Sequence, residues 1–181
     1  MRSTARCYIT ACGRVLHSGN RLEISAVTNA VVAGALAVAA LNAIPGVLGA
    51  TIWYQQRTTD HRPVRSFWVL LRVGQGSALT LAIAVGSLAA AGNYSSEHLF
   101  YLYALLPLAI AFVAEQLRVA SAQTILDQSG LQDAAAVGAL PESEQHAVVA
   151  AIVRREVGVM ALSAIVVVFL ALRAASTAHG F

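Results

Sequence analysis

Lysine is absent from this 181-residue sequence, and all twelve basic residues are arginine. That bias fits a high-GC genome and carries no mechanism of its own. Charge of either sign is scarce, at 12% of residues against 57% hydrophobic, a balance that excludes an ordinary soluble domain. Cysteine is nearly missing. Cys7 and Cys12, with His17 nearby, fall short of the four ligands that a structural zinc site needs, so no metal is expected. The motifs of common chemistry are missing too: no G-x-S-x-G, H-E-x-x-H, Walker loop or C-x-x-C-H occurs. His17, His61, His146 and His179 fall in tails or loops, and only His98 stands at the edge of an apolar stretch. A bis-histidine haem between facing helices therefore lacks its ligands, and no cofactor is predicted. The formal charge of +3 reads as topology and headgroup contact, with no nucleic acid as partner.

What the chain does hold is apolar length. Four stretches, at about 26–54, 66–91, 98–120 and 156–176, each reach the roughly 20 residues that a helix needs to cross a bilayer. The predicted fold class is all-α: a polytopic membrane protein with four transmembrane helices in an up-down bundle and a small cytoplasmic helical cap. Residues 1–24 read as a flexible tail, 25–176 as the transmembrane domain with its cap at about 121–155, and 177–181 as a C-terminal tail. The tail has no apolar core of the length of a signal peptide ahead of the first span.

Arginine sets the expected orientation. The joint between spans 2 and 3, "AGNYSSEHLF", has no basic residue, whereas Arg57, Arg62 and Arg65 lie between spans 1 and 2 and Arg118, Arg154 and Arg155 between spans 3 and 4. Positive loops stay in the cytoplasm, which places both termini outside. Arg2, Arg6, Arg14 and Arg21 of the tail argue the other way. Trp53, Tyr54, Phe67 and Trp68 at one end, and Tyr94, Phe100 and Tyr101 at the other, read as interfacial anchors.

Within the spans, polar and small residues supply the detail. Asn42 precedes Pro45-Gly46, and Pro45 cannot donate to the carbonyl of Leu41, so a kink is expected, with the Asn42 amide serving the freed group or a neighbouring helix. Gly74, Ala78, Ala82, Gly86 and Ala90 form a row of small residues at four-residue spacing, the pattern of a close helix contact. Ser129-Gly130 ends the third helix, and Pro141 with Glu142 and Glu144 opens a fourth that runs unbroken to about Ser176. Val148, Val149, Ile152 and Val153 form an apolar stripe on its extension, expected to pack on the extension of helix 3.

Arg72 lies six residues inside the start of span 2, about 9 Å, and Glu115 five residues before the end of span 3, about 7–8 Å. Consecutive spans are antiparallel, so both share one depth. An Arg72–Glu115 bridge is expected, with Gln75 one turn away completing the cluster and Tyr101 on the Glu115 face at the far end. Arg72, Gln75, Glu115 and Asn42 are the candidate binding residues. No catalytic residue is predicted.

The runs "FWVLLRVGQ", "YLYALLPLAIAFVAEQLRVASAQTIL" and "LPESEQHAVVAAIVRREVGVMAL" resemble an uncharacterised family of four-helix integral membrane proteins of actinobacteria, over about residues 25–176. The family carries an aromatic cluster where this chain reads "HLFYLYA". The resemblance implies the four-helix fold and no activity. The leading expectation is a non-enzymatic membrane subunit, scaffold or assembly factor, more an interaction protein than an enzyme. Its partners would be the lipid bilayer and a second copy or another membrane protein. The alternatives are a small permease or channel with an Arg/Gln/Glu polar path, and a haem or quinone redox module near His98, Tyr101 and Tyr103.

Overall fold

The structure, a computed structural model, describes residues 4–55, 61–92, 94–95, 97–131 and 134–178, with side chains described from residue 25 onward apart from those of 61 and 134. The readings on Cys7, Cys12, His17, Arg57, His61, His179 and the tail arginines lie outside the described side chains. Five helices follow in order: α1 (Thr4–Gln55), α2 (His61–Ala90), α3 (His98–Gln128), α4 (Ala134–Gly138) and α5 (Glu142–Thr177). All but α4 are long and apolar enough to cross a membrane. Helix α1 is helical from Thr4, ahead of position 26, where its apolar run was expected to open it.

The four long helices form an up-down bundle. α1 packs against α2 and α5, and α3 against α5, while α2 and α3 meet along a thinner seam. Much of its interior is alanine, set beside larger residues such as Phe67, Phe100 and Met160. Ala35, Ala39, Ala78, Ala104, Ala164 and Ala171 are buried, while Leu36, Val47, Ile83, Phe112, Leu162 and Phe169 point outward. This inversion suits a lipid solvent, in which burying leucine gains little and close backbone approach gains dispersion contacts.

Helix ends form where the expected signals stand. Gly130, at φ 70°, lets the Leu131 amide donate to the Leu126 carbonyl and its own amide to Asp127, a Schellman closure of α3. At the start of α5 the Pro141 carbonyl accepts from the amides of Glu144 and Gln145, and Gln145 Nε2 donates to the carbonyls of Gly138 and Leu140. α5 then runs for 36 residues, about 54 Å.

Packing decides the role of the residues singled out in the sequence. Pro45 lies within the continuous α1, fully buried, and Gly46 beside it passes close to the α5 backbone, so the pair serves packing; three other expectations need correction. Phe67 and Phe100 are core residues, 0% and 1% exposed, and not interfacial anchors. Phe67 fills the space opposite Gly49, which only a residue without a side chain leaves open. The small-residue row is half used: Gly74, Ala78 and Ala82 are buried, but Gly86 and Ala90 are exposed and Val85 takes over the contact. Four residues advance a helix by about 400°, so such a row drifts by about 40° per step and has turned away by its fourth member. On the α5 extension the apolar stripe is narrower than expected, because Val149 is exposed while Val148, Ile152 and Val153 are half-buried.

Candidate functional site

Two belts of arginine over aromatic rings mark the ends of the apolar layer. At one end Arg118 lies over Trp68 at 5.1 Å and Arg154 over Trp53 at 5.4 Å. At the other, Arg173 lies over Tyr103 at 5.9 Å. Arg154 and Arg173 are nineteen residues apart on one helix, about 28 Å, close to the roughly 30 Å of a bilayer's hydrocarbon core. Cation–π contact lets a guanidinium rest where water thins out, its charge against the ring and its tip toward headgroups.

About one turn inside the tryptophan belt the expected bridge is in place. Arg72 Nη1 donates to Glu115 Oε1 at 2.6 Å and to Gln75 Oε1 at 2.8 Å. The antiparallel count of residues puts the two charges at one depth, and the thin α2–α3 seam lets both side chains reach across it. Arg118 adds a contact that the sequence reading lacked: its Nη1 is 3.6 Å from Glu115 Oε2, one turn along α3. The resulting cluster ties α2 to α3. An i,i+3 check around Glu115 would have flagged Arg118.

The cluster faces outward. The Arg72 side chain is 56% exposed and that of Glu115 28%, so the bridge lies on the rim of the bundle and is not the floor of an interior pocket.

Asn42 belongs to a different place. It is 1% exposed, and its Nδ2 donates to the Val38 carbonyl at 2.9 Å and across to the Gly74 carbonyl at 3.2 Å. Gly74 is there because a Cβ would stand 2.7 Å from Asn42 Oδ1. Since Gly74 follows Arg72 by two residues, about 200° round the helix, the two polar groups occupy opposite sides of α2. The four candidate residues thus form one outward cluster and one internal α1–α2 clasp; they do not line a single path through this chain.

At the far belt, the Tyr101 hydroxyl accepts from the Ser95 amide at 2.8 Å and closes the turn between α2 and α3. Tyr103 carries Arg173 on its ring, and His98 is exposed. Tyr101 and Tyr103 are thus engaged separately, with His98 exposed at the start of α3. Among the described residues no three His, Cys, Asp or Glu side chains gather as metal ligands would.

Fold and belts together define a multi-pass, all-helical membrane protein. No family model, curated protein or solved structure matches the chain.

Proposed function

We propose that the protein is a non-enzymatic membrane subunit, scaffold or assembly factor whose α2–α3 face docks another membrane helix. The observation that supports this reading is the outward aim of the Arg72–Gln75–Glu115 cluster about one turn below the Trp68–Arg118 belt. Polar groups facing hydrocarbon are costly, and ion pairs and amides at such a depth commonly meet a partner's polar side chain. Docking there replaces lipid by hydrogen-bonding groups. The kinship with the actinobacterial four-helix family is part of the same proposal, supported by runs that lie on α2, α3 and α5.

Purification in mild detergent tests the reading. The parent protein is expected to hold a stoichiometric membrane partner or a second copy, and the Arg72→Leu/Glu115→Leu double variant to lose most of it while keeping its fold. A partner retained by the double variant, or a parent protein that runs alone, overturns it.

The orientation is proposed on the arginine count: the 56–60 connection and α4 face the cytoplasm, with both termini outside. Single cysteines at 60 and 135, in a background lacking Cys7 and Cys12, are expected to resist an impermeant thiol reagent in intact cells, and one at 95 to be labelled. The reverse pattern inverts the protein in the membrane.

A further inference from the structure

Between α1 and α5 a groove of about 430 Å³ opens at the tryptophan belt. Trp53 and Arg155 stand at its mouth, and Gly158, Val159, Leu162 and Ile165 line its length. From Arg155 to Ile165 is ten residues, about 15 Å, the depth of one leaflet of a roughly 30 Å hydrocarbon core. Gly158 shapes the groove, because a Cβ there would stand 2.9 Å from Trp53 Cδ1, so the indole lies directly on the α5 backbone. Beside it no carboxylate among the described residues balances the positive charge. Among the described residues neither Arg154 nor Arg155 pairs with a carboxylate, and Arg154 Nε is buried with no hydrogen-bond partner. Arg155 is exposed, and Trp53 is 46% exposed.

We propose that this groove binds an anionic glycerophospholipid, its phosphate held by Arg155 at the mouth with the charge of Arg154 beside it, and one acyl chain laid along α5 from Gly158 to Ile165. Each part of the ligand meets its complement. The exposed Arg155 guanidinium, without an acidic partner, stands at the groove, where a phosphate offers bidentate acceptors, and Arg154 adds a second positive charge against the Trp53 ring. The Trp53 indole lines the groove beside Arg155, at the interfacial end where tryptophan is favoured. The apolar groove below has leaflet depth and no charged lining residue other than Arg155 at its mouth. A zwitterionic lipid satisfies the groove but not the excess charge, so the site selects for the anionic class.

The test uses the full chain with Trp68→Phe, which leaves Trp53 as the sole tryptophan. It is reconstituted in phosphatidylcholine vesicles containing a minority of phosphatidylglycerol, with bromine on the acyl chains of one lipid or the other. Brominated phosphatidylglycerol is expected to quench Trp53 well beyond its share of the lipid. Arg155→Gln, a change to an exposed side chain, is expected to lower that preference about fivefold, the effect of one arginine near an anionic surface. Quenching in proportion to lipid composition overturns the proposal, as does an unchanged preference in Arg155→Gln. Inorganic phosphate added at matched ionic strength is expected to leave the preference intact. Its loss would mark a headgroup-sized anion cradle with no acyl component, which also overturns it.

Discussion

Gly49→Leu is expected to abolish recovery of folded protein from mild detergent. A Cβ at Gly49 would stand 2.5 Å from Phe67 Cε2 and 2.7 Å from the Ala161 Cβ, so one added carbon collides with both α2 and α5. Neither neighbour can give way easily. Phe67 is 0% exposed, edge-on to Trp68 at 5.2 Å, and packed in a cluster with Ile52, Leu71 and Met160. Overpacking a tight core by a few methylenes costs about 1–3 kcal/mol and more where backbones must part. Here three helices share the contact. Gly86→Leu is the control, since Gly86 is exposed with nothing within 4 Å, and it should leave yield and melting temperature unchanged. Equal recovery of the two variants would mean that Phe67 does not occupy the space opposite Gly49.

Glu115→Leu is expected to lower the melting temperature more than Arg72→Leu, and the double variant to regain part of the loss. Glu115 is the shared acceptor, at 2.6 Å from Arg72 and 3.6 Å from Arg118. Removing Arg72 leaves the carboxylate with Arg118. Removing Glu115 leaves two guanidiniums, of which Arg72 retains only Gln75 while Arg118 keeps the Trp68 ring. Stranding a charge in a poor solvent costs more than deleting the pair. The exposure of the pair limits the size of the effect, and a coupling of about 0.6–1.7 kcal/mol is expected, the range of interhelical hydrogen bonds in membranes. Additive losses in the cycle, or a larger loss for Arg72→Leu, would remove Glu115 from its central position.

Along the helix axes, this protein was legible from its sequence. Length and apolar character place the four spans, Gly130 and Pro141 mark the boundaries of α3 and α5, and antiparallel counting brings Arg72 and Glu115 to one depth. These depend on rise per residue and on backbone rules that operate locally. Position around the axes was not legible. In a soluble helix polarity separates the buried face from the exposed one, but here both faces are apolar, so hydropathy does not tell Phe67 in the core from Phe112 on the rim. Tertiary packing decided that by size, through Gly49 opposite Phe67, Gly74 opposite Asn42 and Gly158 under Trp53. The same packing turned the Arg72 cluster outward and Asn42 inward. It also left the groove between α1 and α5, lined by Trp53, Gly158 and Ile165, beside their close glycine contacts.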